Sequence, residues 1–462
     1  MKKILLINPS STDWIYRNTN VKSATLSSPP LSLPLIAAPL LKEGYDVKII
    51  DLDLSDQNLK DQIQKFNPDY VGITGSTPLF YEIIRISKIV KEIDQSIKII
   101  VGGVHATIVP YDFLNSNLVD IVAYGEADFT LLEILKSKKL EDVKGIYFKK
   151  DKKIIKTPPR ELIKNLDILP FPSWELIDVK KYKSSYLSSK KNPVGPMETS
   201  RGCVFGCVYC NKDIFGRMFR SKTYKRVVDE FEYTLNQGFK EIHICDDGFS
   251  TDMERAKKIC DEIIKRKLDF SWSLFNGIRV DKIDDELAEK LKKAGCYQIA
   301  FGIESGNQDI LNKIQKGVTL EQVRQAIKIS KKAGLETFGF FMFGLPGETE
   351  KTMQDTINFA KELDMDLSKF DITIPYPGTK LYNDLEKEGK ILSKNWSDYI
   401  VHQDNKELFK HSNLSFATIH KYYKKSFRSY YLRPSYIYKR FFKSFKKGEL
   451  TKDIKSLLET KW

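Results

Sequence analysis

Long apolar runs are what this sequence of 462 residues most plainly lacks: none approaches the roughly 18 uninterrupted apolar residues that a membrane-spanning helix requires. The opening MKKILLINPSS begins as a secretory leader does. Its apolar run is only ILLI, however, and ends at Asn8-Pro9, so it reads as a first β-strand and the chain is expected in the cytosol. Cysteine is scarce, with six residues, and in a cytosolic chain a disulfide framework is excluded. Cys245, Cys260 and Cys296 stand alone among apolar neighbours and are expected to be packing residues. Histidine is scarcer still, with five. His402, His411 and His420 show no metal-ligand spacing, and His243, which alternates with Cys245, is assigned no chemistry. No G-x-G-x-x-G follows the first strand, which disfavours a dinucleotide. Acid is absent between Lys421 and Gly448, where lysines and arginines interleave with aromatic rings. Such a segment can pack its rings on the protein body, lie on an anionic membrane surface or bind RNA, nucleic acid being the least favoured.

What is present divides the chain. Residues 1–135 alternate strand and helix, with strand-like runs at 3–9, 45–53, 69–75, 97–103 and 119–126. Short apolar strands between amphipathic helices predict an α/β, doubly wound parallel sheet, whose ligands bind beyond the carboxyl ends of the strands. At those ends lie Asn8-Pro9, Gly75-Ser76-Thr77, Gly102-Gly103-Val104-His105 and Gly125-Glu126. These glycines let a large ligand approach the backbone, and the hydroxyls suit its polar rim. Residues 136–195 read as a connector, with a hairpin around Lys150-Asp151-Lys152-Lys153 and a proline-rich LDILPFPSW. A second alternation over 196–385 has candidate strands at 196–202, 241–247, 270–277, 297–305, 337–346 and 370–377. It predicts a partial (β/α)6 barrel with its chemistry at the strands' C-terminal ends. Residues 386–462 form a helical, basic and aromatic C-terminal region.

Directly after the first barrel strand, TSRGCVFGCVYCNK (199–212) places Cys203, Cys207 and Cys210 within eight positions. A structural zinc site uses four protein ligands, usually as two spaced pairs, and no second pair lies near. A four-iron cluster offers one ligand position per iron, so three thiolates leave one iron open. Tyr209 can cover a ligand bound there with an aromatic face. Gly202 and Gly206 are expected to make room for the cluster and for N–H groups directed at its sulfurs.

This C-x3-C-x2-C loop resembles that of the radical S-adenosylmethionine (radical SAM) superfamily, and the resemblance covers about 196–385. It implies a [4Fe-4S] cluster held by Cys203, Cys207 and Cys210, whose fourth iron chelates the amino and carboxylate groups of S-adenosylmethionine. One electron, from an external donor such as flavodoxin or ferredoxin, then cleaves the sulfonium to methionine and a 5′-deoxyadenosyl radical. CDDGFS (245–250) stands where the family has a motif near the methionine amino group, which implies Asp246 or Asp247 as its acceptor. Many members have glycines before a carboxylate there, so the choice between the two stays open. FGIESG implies Glu304 and Ser305 for ribose or the methionine moiety, FGLPGET (343–349) resembles the segment that packs on adenine, and PYPGT (375–379) closes the sixth strand. Lys316 and Arg324 are candidates for a carboxylate of S-adenosylmethionine, against a plainer reading as solvated side chains.

The first unit, with GITGST, VGGVHATIVP and VAYGEAD, resembles the cobalamin-binding domain found ahead of many radical SAM enzymes. Gly75, Ser76, Thr77, Gly102, Gly103, His105, Gly125 and Glu126 are its candidate cofactor residues. The D-x-H-x-x-G segment of the wider cobalamin-binding pattern is missing, which implies no histidine on cobalt. His105 is left to hydrogen-bond a corrin side chain or simply to end a strand. Together the two resemblances imply a cobalamin-dependent radical SAM methyltransferase. It would act on an unactivated carbon of a hydrophobic, lipid-like or other small-molecule substrate, with methylcobalamin as methyl donor. The layout also resembles the anaerobic magnesium-protoporphyrin monomethyl ester cyclases, so an oxidative cyclisation or rearrangement without methyl transfer stays open. A non-catalytic iron–sulfur sensor is a third reading. Expected partners are the substrate, the electron donor and, through the C-terminal region, the inner face of a membrane.

Overall fold

Five short, nearly all-apolar strands come first, because a strand covered by helices on both faces has no use for polar alternation. They are β1 (Lys3–Asn8), β2 (Asp46–Asp51), β3 (Tyr70–Thr74), β4 (Lys98–Gly102) and β5 (Ile121–Ala123). All pair in parallel, in the order β2-β1-β3-β4-β5. The order reverses between β1 and β3, which opens a crevice beyond their carboxyl ends. The computed structural model describes residues 2–15, 28–54, 58–185, 188–400, 406–448, 450, 451 and 453, so His402 lies outside the described residues.

The hairpin expected in the connector is present as β6 (Ile146–Lys150) and β7 (Lys153–Lys156). Asp151 and Lys152 both take left-handed backbone angles, φ 49° and 64°, as a two-residue hairpin loop with the twist of its strands requires. β6 pairs antiparallel with β5, so the hairpin enlarges the first sheet. The proline-rich stretch forms only single 3-10 turns at Leu166–Ile168 and Trp174–Leu176.

The second sheet is built from β8 (Val194–Met197), β11 (Glu241–Ile244), β12 (Ser271–Ile278), β13 (Cys296–Glu304), β14 (Glu336–Phe343) and β15 (Leu367–Ile372), parallel and in chain order. Between β8 and β11, β9 (Ser200–Arg201) and β10 (Arg220–Ser221) form a small antiparallel pair. The first barrel strand therefore stops earlier than its sequence suggests. Asp246 explains the break: its buried carboxylate accepts hydrogen bonds from Thr199 N, Thr199 Oγ1 and Ser200 Oγ, drawing 199–200 out of the ladder.

At the N-terminal ends of the barrel strands, Glu241 is wholly buried. It accepts from the backbone N–H groups of Lys190 and Lys191, both at 2.8 Å, and from Tyr297 Oη at 2.7 Å. The connector thereby plugs one end of the barrel and leaves the other for chemistry. His243 lies 2.9 Å from Glu241 and stacks on Phe275 inside the barrel. Cys260 and Cys296 are buried packing residues as expected. Cys245 is not: it is exposed at the carboxyl end of β11. Its apolar sequence neighbours misled, because at a strand end the alternation carries a side chain into the barrel mouth.

One ionic cluster joins the two sheets. Arg201, two residues before Cys203, reaches Glu126 at 2.6 Å, Asp128 at 2.7 and 2.9 Å and Glu198 at 2.6 Å. Arg220 grips the same Glu126 at 2.9 and 3.0 Å, while Glu126 also accepts from Ile163 N. The side chains of Arg201 and Arg220 are each 3 % exposed and that of Glu126 is 0 % exposed. Removing one partner from such a site strands a buried charge. Glu126→Ala is expected to cost roughly 3–5 kcal/mol in chemical denaturation, whereas breaking the exposed Arg324–Glu362 pair by Arg324→Ala should cost about 0–1 kcal/mol.

Candidate active site

The cysteine loop is held at three points. Gly202 has φ 81°, and a Cβ there would lie 2.3 Å from the carbonyl oxygen of Met218, so only glycine passes beneath the 215–218 turn. The space at Gly202 is therefore taken by backbone and not, as expected, by the bound cluster. At mid-loop the Arg279 guanidinium covers the Phe205 ring at 3.4 Å, itself held by the carbonyls of Lys316 and Gly317. Val208 N donates to Ile314 O and Val208 O accepts from Leu381 N, fastening the loop to the end of the helix Gln308–Lys313 and to the start of the helix Lys380–Lys387.

So held, Cys203 and Cys207 are partly exposed and Cys210 is exposed. The Lys212 ammonium donates to the Cys210 sulfur at 3.2 Å, an interaction that favours its thiolate. Asp247 is exposed, close enough to act electrostatically on both Cys210 and Lys212. Asp246, by contrast, spends both oxygens on Thr199 and Ser200. Of the two candidate aspartates, one positions the loop from within and the other faces it.

Across the mouth, Glu304 adopts φ 70° at the end of β13. Its carboxylate meets Lys316 Nζ at 2.8 Å, and Lys316 lies 3.4 Å from Tyr209 Oη. Burial, then the charge of Glu304 and the neighbouring cysteines, pushes the Tyr209 hydroxyl well above its ordinary value, so it stays protonated. Tyr209, Glu304 and Lys316 thus form one chain beside the cysteines. Lys316 is buried, which corrects the solvated reading, whereas Arg324 is an exposed helix residue paired with Glu362. Ser305 turns away: its Oγ lies 3.2 Å from Thr356 Oγ1 on the helix Glu350–Leu363.

In FGLPGET, Glu348 closes its own turn by accepting from Gly344 N at 2.6 Å and Leu345 N at 3.0 Å. Burial pushes its carboxyl up to about 8 against those two bonds.

Facing the loop is the crevice of the first sheet. A cavity of about 300 Å³ is lined by Ser76, Thr77, Pro78, Val104 and Ile108 from that sheet, Tyr209 and Asn211 from the cysteine loop, Tyr376, Pro377 and Thr379 beyond β15, and Tyr399 and Ile400. Gly103, at φ 100°, lets the ends of β3 and β4 meet: a Cβ there would sit 3.0 Å from Gly75 O and from Thr74 Oγ1. Gly102 ends β4, and Gly125, at φ 72°, donates to Thr107 Oγ1. His105 is 0 % exposed and boxed by Phe80, Phe113 and Trp396 at 5.1–5.6 Å between ring centroids. Burial holds its pKa down at about 3, so the ring is neutral, and neither nitrogen has a hydrogen-bond partner among the described residues. Glu126 belongs to the ionic cluster.

Comparison with known proteins accords with both halves. A model described as the Radical SAM superfamily matches residues 197–360, and one described as the B12 binding domain matches 17–135. An uncharacterized methyltransferase of Pyrococcus horikoshii is 36% identical over 402 residues, 85% of each chain. The chain belongs to the radical SAM superfamily, among members that carry a B12-binding domain. An anaerobic magnesium-protoporphyrin IX monomethyl ester cyclase of Rubrivivax gelatinosus is 30% identical over 337 residues, which are 71% of this chain and 60% of the cyclase. In fold, this radical SAM chain matches the radical S-adenosylmethionine methyltransferase TsrM of Kitasatospora setae, solved with cobalamin and a [4Fe-4S] cluster, at a TM-score of 0.71. There the identity is 17%, with coverage of 94% of this chain and 90% of that one. Its cofactors are a [4Fe-4S] cluster, S-adenosylmethionine and cobalamin.

The donor sets suit these groups. Three accessible thiols on a braced loop match a four-iron cluster one ligand short. A crevice walled by aliphatic groups with hydroxyls at its edge suits a large amphiphilic ring. The ionic cluster and the Lys316–Glu304–Tyr209 chain escaped the sequence reading, although the Arg201 of TSRGC was a signal for the former.

Two consequences are measurable. Gly202→Ala, strained by about 1–3 kcal/mol, should sharply lower iron and sulfide content after anaerobic reconstitution. Gly206→Ala, whose Cβ would meet only the flexible Gln315 side chain at 3.3 Å, should retain both. For Glu348, the folded state binds its proton more tightly than the unfolded chain, so its contribution is complete below its ordinary 4.5 and is lost as pH rises through about 8. Glu348→Gln should therefore match the parent near pH 4 and exceed it by roughly 2 kcal/mol or more at pH 8 in denaturation curves.

Proposed function

We propose that this enzyme methylates an unactivated carbon of an apolar or aromatic small molecule. One observation carries the reading: a single cavity is lined jointly by the cobalamin-side crevice at Ser76 to Pro78 and by Tyr209 and Asn211 of the cysteine loop. When bound, the cofactors supply homolysis of the sulfonium and a methyl group, and the chain supplies position and the exclusion of water. Cys203, Cys207 and Cys210 hold the cluster. Asp247 accepts from the methionine ammonium, and the Glu304–Lys316 pair faces the polar end of S-adenosylmethionine. Ser76 and Thr77 serve the rim of the corrin, while Gly75, Gly102, Gly103 and Gly125 keep the crevice open to it. Asp246 and Glu126 act through the loop and the sheet junction, and Ser305 through Thr356 of the helix Glu350–Leu363.

The substrate is proposed to enter the barrel, where the rings of Phe275, Phe338 and Phe340 pack in tilted pairs with centroids 4.7–6.1 Å apart and remain partly exposed. Such walls favour an aromatic or lipid-like skeleton. Cleavage of the sulfonium consumes one electron, so an external low-potential donor such as flavodoxin or ferredoxin is proposed as partner. Peripheral contact with a membrane through the C-terminal region is proposed in preference to nucleic acid.

Similarity to the cyclase keeps one second reading, oxidative ring closure without methyl transfer. Products decide between them. With a true substrate and reductant, methyl transfer yields S-adenosylhomocysteine and 5′-deoxyadenosine together, with a product heavier by one methylene. 5′-Deoxyadenosine alone, with a product that has lost hydrogen, would overturn methyl transfer in favour of cyclisation.

A further inference from the structure

Among the described residues, the helix Pro434–Lys447 is tied to the barrel along one side. Tyr436, 8 % exposed, donates its hydroxyl to Asp366 O at 2.9 Å. Lys443 pairs with Asp366 at 2.9 Å and Glu336 at 3.3 Å, and Lys439 donates to Asp364 O at 3.1 Å. At about 100° per residue, Ile437, Tyr438, Phe441, Phe442 and Phe445 fall on the side opposite Tyr436 and Lys443. All five are 44–68 % exposed. Their rings touch one another, Tyr438 on Phe442 at 4.6 Å and Phe441 on Phe442 at 5.6 Å.

An amphipathic helix of a globular protein turns its apolar stripe inward, so a stripe of this size facing away marks an interaction surface. The preceding helix, Phe416–Tyr431, behaves in the opposite way. Tyr430 and Tyr431 bury their rings and donate to Met365 O and Ser368 O, both at 2.6 Å. Its cations stay in water: Lys421, Lys424, Lys425 and Arg428 are exposed, as is Lys446 at the edge of the apolar stripe. No acid occurs from Lys421 to Gly448.

We propose that Ile437, Tyr438, Phe441, Phe442 and Phe445 insert into the surface of an anionic phospholipid bilayer, with Lys421, Lys424 and Lys446 facing its headgroups. The arrangement argues for lipid over nucleic acid. Lys446 borders the rings, as at a membrane interface, and among the described residues of this helix no cation stands between the rings as a stacking groove for bases would require. Charge complementarity selects an anionic surface. The inference deepens the membrane contact proposed above and rests on no step of methyl transfer.

Vesicle co-sedimentation of the full chain tests it. Binding to phosphatidylglycerol–phosphatidylcholine vesicles is expected, with little to phosphatidylcholine alone. Phe441→Ser with Phe445→Ser should weaken it by roughly tenfold or more. Lys421→Ala with Lys424→Ala and Lys446→Ala should weaken it on the order of tenfold at low salt and far less at high salt. Iron content and circular dichroism should be unchanged in both variants. Three results would overturn the proposal: equal sedimentation of parent and serine variant, a dimeric parent that the serine variant renders monomeric, or binding that appears only once residues 454–462 are deleted.

Discussion

The structure depends on two arginines that share one buried carboxylate. Arg201 and Arg220 leave the short β9–β10 pair and meet at Glu126, which ends the crevice of the first sheet, while Asp128 and Glu198 also pair with Arg201, so that three carboxylates surround two guanidinium groups. The desolvation of five ionised groups is offset only while all partners are present and well aligned. The arrangement is accordingly better suited to setting geometry than to adding stability. Burial pushes Glu198 up to about 6 against the pull of Arg201, whereas the surrounding carboxylates raise Arg201 above its ordinary value and keep it charged. Because Arg201 stands two residues before Cys203, the cluster sets where the cysteine loop begins relative to the first sheet.

Every other feature of the site builds on that placement. With the start of the loop fixed, the glycine passage at Gly202, the cation over Phe205 and the two bonds to Val208 leave it little freedom. The loop then presents Tyr209 and Asn211 to Ser76 and Thr77 across a cavity closed from the side by Tyr399 and Ile400. The C-terminal segment reaches that position through Trp396, whose indole donates to Asp112 at 2.6 Å and packs on His105.

The strands of both sheets were legible in the sequence because apolar runs of four to nine residues between glycine-stopped helices have few other solutions. The cysteine spacing was legible because it is local. What escaped notice depends on pairing over long sequence distances. Glu126 lies 75 residues from Arg201, and a carboxylate at a strand end reads equally well as a ligand or as a tie. Lys316 sits just past a helix and reads as solvated until the left-handed turn at Glu304 brings that carboxylate beneath it. Asp246 and Asp247 are neighbours in sequence, yet one faces inward and the other outward, a distinction that the end of β11 sets and composition does not. Cys245 follows the same rule, since at the end of a barrel strand the alternation that faces the interior opens into the mouth.

The central claim is that the Arg201–Glu126–Arg220 tie fixes the two cofactor sites with respect to each other. The most direct measurement is the dipolar coupling between a reduced cluster and cob(II)alamin in the loaded protein, read by pulsed electron paramagnetic resonance. The account predicts one narrow distribution of separations in the parent and a broadened or shifted one in Glu126→Gln, with both cofactors still bound. An unchanged distribution in that variant, or the absence of coupling in the parent, would contradict it.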